Sequence, residues 1–243
     1  MVIEEIVENQ EPVVEIRACS ECFTPMECRV VEVFGRRLNF EVLCEPCAEK
    51  KRLECEAEEA RLCAERLLKR FESLCPPLYR SSDPQRIPAA FLREIEAWQV
   101  SPRGLGFVAV AGRGKTRAAW MLLRRLHFTG HRVHGITATQ FAKASADQWH
   151  DDPAVKAAAL SRMEACRGAE VLLLDDLGKQ KFTERAETEL FDLLEHRTSH
   201  ELPIVWTANA GKDELKKMLS PDRGEPILRR LVEFSKVVGE EAA

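Results

Sequence analysis

Between residues 107 and 116 the chain reads Phe-Val-Ala-Val-Ala-Gly-Arg-Gly-Lys-Thr, an apolar run that breaks into glycines and ends on a lysine and a threonine. Those residue types in that order suit a polyphosphate. Gly112 and Gly114, with Arg113 between them, allow backbone N–H groups to close around phosphate oxygens. Lys115 brings a point charge to the outer phosphates, and the Thr116 hydroxyl is placed to ligate Mg²⁺ where a helix begins at Arg117. The full Gly-x4-Gly-Lys-Thr pattern would carry glycine at 109, where this chain has Ala109, the smallest replacement.

Two more stretches carry polar chemistry at the end of an apolar run. Residues 170–178, Glu-Val-Leu-Leu-Leu-Asp-Asp-Leu-Gly, read as a buried parallel strand that delivers two carboxylates at its C-terminal edge, where open α/β sheets bind their ligands. Asp175 is placed to hold Mg²⁺, and Asp176 to orient and polarise an attacking water. Residues 202–209 form a third strand ending on Asn209, which can hydrogen-bond the γ-phosphate or that water. Together the three motifs imply a site that binds a nucleoside triphosphate.

The elements that position them follow from periodicity. From Pro88 onward helical and strand patterns alternate: a helix at 89–99, strand 106–110, helix 115–128, strand 132–137, helices within 138–166, strand 170–175, helix 183–197, strand 203–208, two short helices and a strand near 235–238. The pattern predicts an α/β fold, a five-stranded parallel sheet with helices on both faces.

Eight of the chain's nine cysteines lie ahead of that core and carry a different signal. Cys19-x2-Cys22 and Cys44-x2-Cys47 are two knuckle-like pairs 21 residues apart, and the stretch 29–43 between them reads as a hairpin turning near Gly35. Four thiolates at that spacing predict a Zn²⁺ ribbon, with Cys28 a candidate substitute ligand. Residues 48–75 hold almost no Gly or Pro and space Leu53, Ala57, Ala60, Ala64, Leu67, Phe71 and Leu74 by fours and threes, the seam of one long helix, packed on a partner helix or on its own core. The predicted organisation is a zinc module at 1–47, a helix at 48–75, a linker at 76–88 and an ATPase domain at 89–243.

Composition limits the function classes. At 243 residues and 27.6 kDa, with 45% hydrophobic residues, the chain supports one ordinary domain and a small appendage. No apolar run nears the ~20 residues of a membrane span, and the acidic start is unlike a signal peptide, so a cytoplasmic location with no membrane partner is expected. Residues 1–60 hold 15 Glu against 7 Lys and Arg, a balance of −8 within a net charge of −4, which leaves +4 for the rest. A DNA-contacting surface would therefore draw on Arg113, Arg117, Arg124, Arg125, Arg132, Lys212, Lys216, Lys217, Arg223, Arg229 and Arg230.

With the loop, the Asp-Asp strand and the Asn strand in this order, the chain resembles an AAA+ ATPase, and more narrowly the DnaC/IstB group of helicase loaders and transposition helper ATPases. Gly104-Leu-Gly-Phe before the loop, the segment 174–178, the segment 189–197, Thr207-Ala-Asn209 and Ile227-Leu-Arg-Arg-Leu231 carry the likeness. The resemblance implies a homo-oligomer with ATP between protomers and an arginine reaching the neighbour's γ-phosphate: Arg230, or alternatively Arg229. It also implies a loader that binds a DnaB-like replicative helicase through its N-terminal region and single-stranded DNA through its core. An IstB-like transposition helper, or a zinc-binding adaptor with a structural nucleotide site, are the alternatives. Residues 239–243 carry no arginine to match the group's second nucleotide sensor, so that role is expected to be absent; Ala109, and Asp176 where many ATPases have Glu, imply slow, DNA- or partner-stimulated hydrolysis.

Overall fold

The computed structural model describes residues 13–33, 36–39, 42–81, 83–178, 181–209, 215 and 219–239, without the side chains of 31–33, 36–39 and 221. Contacts divide the chain into two units, 1–66 and 67–243, with the division inside a long helix.

In the first unit Val13–Ala18 (β1), Pro25–Val33 (β2) and Arg36–Asn39 (β3) form an antiparallel sheet in that order. The hairpin expected between the cysteine pairs is β2–β3, with Val33 opposite Arg36; its turn near Gly35 lies outside the described residues. Strand β1 is an addition to the sequence reading. Its Val13, Val14 and Ile16 give no buried face, Ile16 being 77% exposed, so no clean alternation marks it. Glu45–Leu74 follows as one helix, α1. Its seam divides: Leu53 is exposed, whereas Phe71 is buried and Leu74 packs with it inside the second unit.

The second unit opens with two short elements, helix Pro77–Arg80 (α2) and a 3-10 turn at Pro84–Arg86, before helix Ala89–Ala97 (α3). Strand Gly104–Val108 (β4) and helix Lys115–Phe128 (α4) flank the glycine-rich loop. Then come Val133–Thr137 (β5), Ala138–Asp147 (α5), Pro153–Gly168 (α6), Val171–Leu177 (β6), Glu184–Ser199 (α7), Ile204–Ala208 (β7), Pro221–Glu233 (α8) and Ser235–Gly239 (β8). The five strands pair in parallel, in the order β5-β6-β7-β4-β8.

Strand β6 shows why the sheet needs cover on both sides. Val171 and Leu173 enter one apolar layer with Phe91, Phe107 and Trp120; Leu172 and Leu174 enter the other with Phe141, Leu190 and Trp206. Successive side chains of a strand point to opposite faces, so an unbroken apolar run is a strand buried twice. Trp206 adds a cross-tie. Its indole lies against Gly106 of β4, where a Cβ would come within 2.4 Å of the ring, and its Nε1–H donates to Ser235 Oγ of β8 at 3.0 Å. Among the described residues no helix is long and apolar enough to cross a membrane.

Candidate functional site

The phosphate loop is shaped by two left-handed glycines, Gly112 at φ +82° and Gly114 at φ +75°. At Gly114 a side chain is excluded twice over, since a Cβ would also sit 2.4 Å from the Arg86 carbonyl oxygen. Gly114 caps the start of α4, so the first N–H groups of that helix face the loop. Lys115, 5% exposed, donates from Nζ to the Val110 carbonyl at 2.8 Å across the loop.

Strands β6 and β7 bring the acids to the same end of the sheet. Thr116 Oγ1 donates to Asp175 Oδ1 at 2.9 Å, and Thr207 Oγ1 donates to the same oxygen at 2.7 Å. The Asp176 N–H in turn donates to Thr207 Oγ1 at 2.8 Å. Strand register shifts between Leu174 and Leu177, and Asp176 takes φ +60° there. The irregularity turns Asp176 out of the strand's alternation and into the pocket, a use to which bulges beside functional sites are commonly put. The separation of Thr116 and Asp175 matches neighbouring ligands of one octahedral cation, which at about 2.1 Å from the ion stand about 3 Å apart.

One cavity of about 520 Å³ is lined by Leu78, Tyr79, Arg86, Ala111, Gly112, Gly114, Lys115, Thr116, Arg117, Asp176 and Asn209, while Asp175 lies buried behind it, bonded to Thr116. A volume of that size suits a nucleotide. Sequence reasoning passed over Leu78, Tyr79, Arg86 and the role of Thr207. The first three lie in the stretch 76–88, read as a linker, and no spacing marks them because they arrive by docking: Arg124 Nη1 of α4 donates to the Arg80 carbonyl at 3.3 Å.

Arg230 does not line this cavity. On α8 its guanidinium donates to Glu195 of α7 and lies over the Phe191 ring, 4.5 Å from the centroid, whereas Arg229 beside it is exposed. A second contact fixes the same two helices. Buried Glu187 accepts from the Ser220 N–H at 2.8 Å and from the Ser220 hydroxyl, a carboxylate at the N-terminus of α8.

The basic residues considered for DNA are dispersed. Arg117 lies over the Tyr79 ring, Arg124 and Arg125 donate to backbone carbonyls, and Arg223 donates to the Glu184 carbonyl. Arg132 and Arg229 are exposed; Lys212, Lys216 and Lys217 lie outside the described residues.

In the first unit Cys19, Cys22, Cys44 and Cys47 bring their four sulfurs within 4.8 Å of one another. Cys28 is not in the cluster; it is buried on β2, its Sγ directed at the Met26 carbonyl. Cys22 and Cys44 Sγ are 3.5 Å apart, near the ~3.8 Å between sulfurs of a tetrahedral zinc site with 2.3 Å bonds. The Cys44 N–H donates to Cys19 Sγ at 3.3 Å. Backbone N–H groups of Cys22 and Cys44 hold the Cys19 thiol down to about 6, while the Cys44 and Cys22 sulfurs push Cys47 up to about 12. Four crowded thiols cannot all ionise unaided, and a cation among them removes the conflict.

No family model matches the sequence, and no curated protein does. Solved structures match the fold. A DnaI structure aligns with a TM-score of 0.57 at 16% identity, over 70% of this chain and 98% of that one. A DnaC helicase loader aligns at 0.51 and 16%, over 71% and 99%. AMPPCP-bound DnaA from Aquifex aeolicus aligns at 0.51 and 19%, over 63% of this chain, which spans 45% of that DnaA chain. The parallel five-stranded sheet, the glycine loop and the paired aspartates thus form a P-loop AAA+ fold of the kind found in DnaC, DnaI and DnaA.

Proposed function

We propose that this chain is an ATP-dependent loader of a replicative DNA helicase. The observation that carries the reading is the AAA+ fold shared with DnaI and DnaC over nearly the whole of those two chains, joined here to a cavity where the loop, Asp176 and Asn209 converge.

In this reading the polyphosphate of ATP lies along the loop from Gly112 to Thr116. Lys115 exchanges its bond to Val110 for the β- and γ-phosphates. Thr116 and Asp175 would hold Mg²⁺, which when bound draws charge from the phosphate oxygens. Asp176 orients the attacking water and takes its proton, and Asn209 donates its amide to the γ-phosphate. The chain assembles as a homo-oligomer with ATP between protomers. Arg230 is retained by Glu195 and Phe191, so the exposed Arg229 is the better placed to reach a neighbour's nucleotide. Zinc on Cys19, Cys22, Cys44 and Cys47 folds the N-terminal module, which grips a DnaB-like helicase, while exposed arginines of the core contact single-stranded DNA.

The test is ATP hydrolysis by the purified chain, alone, with single-stranded DNA, and with the cognate helicase, with Lys115→Ala as blank. Stimulation by either addition supports the loader. Binding of ATP with no stimulated turnover would favour a zinc-binding adaptor whose nucleotide is structural.

A further inference from the structure

The four sulfurs of the N-terminal module are unequally sheltered. Cys19 is fully buried, and the Cys44 N–H donates to its sulfur at 3.3 Å. Cys22 is exposed, and its Sγ stands 3.5 Å from that of Cys44. Beside it opens a second cavity, of about 220 Å³, lined by Glu21, Cys22, Cys47, Lys50, Lys51 and Glu54. Small solutes therefore have a route to the outer edge of the cluster.

The walls of that cavity suit attack by sulfur. Lys51 Nζ lies 3.8 Å from Glu21 and Lys50 Nζ 3.9 Å from Glu54, ion-pair separations too long for hydrogen bonds. Four thiolates around one divalent cation leave two negative charges uncompensated, and these ammonium groups share the cavity wall with two of the sulfurs. A thiolate held by a metal stays ionised, and the thiolate is the nucleophile. Oxidation follows thiolate character and exposure, and it goes on to a disulfide where a second cysteine stands close by.

Resting on the zinc reading, we propose that Cys22 is a site of covalent modification by hydrogen peroxide, with Cys44 as the resolving partner, so that the module loses its metal on oxidation. The Cys22 sulfur attacks one peroxide oxygen, the O–O bond breaks, and the departing hydroxide takes a proton from solvent to become water. Cys22 is then a sulfenic acid. The Cys44 thiolate attacks its sulfur, the S–O bond breaks, and the hydroxide released is protonated to a second water. Two thiolates have lost two electrons to one peroxide. The sulfurs must close by about 1.5 Å to reach the ~2.05 Å of a disulfide. Cys19 and Cys47 alone do not complete a tetrahedral site, so β1–β3 lose the metal that folds them.

The zinc-loaded full chain treated with hydrogen peroxide tests this, with a chromogenic chelator reporting released metal and peptide mass mapping locating the oxidised sulfurs. Cys55 and Cys63, exposed on α1 and outside the cluster, serve as ordinary thiols in the same molecule. One zinc is expected to leave per Cys22–Cys44 disulfide, before Cys55 and Cys63 are oxidised, and dithiothreitol with added zinc should reverse it. The Cys55→Ser/Cys63→Ser double variant should release zinc at the wild-type rate. Lys50→Ala/Lys51→Ala should keep its zinc but release it about 2- to 5-fold more slowly, the scale of exposed charge contacts. ATP binding should persist throughout, since the phosphate loop holds no cysteine. Zinc retained after Cys55 and Cys63 are fully oxidised overturns the proposal, as does release that maps to any other cysteine pair. A chain that takes up no zinc even when refolded with it refutes the metal site itself, a failure distinct from zinc that is bound and resists peroxide.

Discussion

Thr207 donates its hydroxyl hydrogen to Asp175 Oδ1 at 2.7 Å, although the two residues stand on neighbouring strands and 32 positions apart. Because that same hydroxyl accepts from the Asp176 N–H, one buried oxygen sets both carboxylates. Thr207→Val keeps the shape and removes the bonds. It should cost about 1–3 kcal/mol, the range for leaving buried polar groups unmatched, and lower ATP turnover by misplacing Asp176. Thermal melting and steady-state hydrolysis measured together check it; unchanged turnover would detach Thr207 from the site.

Lys115→Ala should abolish ATP binding, since the loop N–H groups alone lack the charge that opposes the outer phosphates. Asp176→Asn should behave differently. Asparagine tolerates a φ of +60°, so the backbone stays as it is and ATP still binds, while hydrolysis falls by about 10²–10⁴-fold for loss of a general base. Equal affinity in the lysine variant, or equal turnover in the asparagine variant, would remove the role assigned to each.

One zinc per chain is expected by metal analysis. Cys44→Ser should lose it and Cys28→Ser should keep it, because Cys28 stands outside the four-sulfur cluster. Chelation should unfold the β1–β3 module while ATP binding persists, as a segment this small depends on its metal for stability. Stoichiometric zinc in Cys44→Ser would move the site elsewhere.

The paired arginines should separate stability from catalysis. Arg230→Ala loses its bond to Glu195 and its contact with Phe191 and should destabilise by about 1 kcal/mol, as Glu195 is partly exposed and screened. Arg229→Ala should leave melting within about 0.5 kcal/mol. It should reduce turnover on the order of a thousand-fold if it is the arginine that reaches the next protomer. Activity restored on mixing Arg229→Ala with Lys115→Ala chains, each inactive alone, would demonstrate a site shared between subunits.

Strand β6 and the loop before α4 were legible because their signals are local: an unbroken apolar run means a strand covered on both faces, and glycines before Lys-Thr mean a turn into a helix. The same locality hid the rest. Asp175 and Asp176 look alike in the sequence, and only the register shift against β7 separates a buried acid bonded to two hydroxyls from one facing the cavity. Arg230 reads as a candidate to reach a neighbour, and its contact with Glu195 on α7, 35 positions away, has no signal in the sequence. Tyr79 carries no motif at all; its place at the pocket depends on Arg124 meeting the Arg80 carbonyl 44 residues away.

The Arg86 carbonyl lying where a Gly114 side chain would be has a practical consequence for recombining such domains. The phosphate loop and the turn at 84–86 fit as lock and key, so a loop transplanted from another ATPase would need its own turn carried with it. Exchange of residues 84–116 as one cassette should succeed where exchange of 109–116 alone fails, and random libraries at position 114 should return glycine unless the turn is varied at the same time.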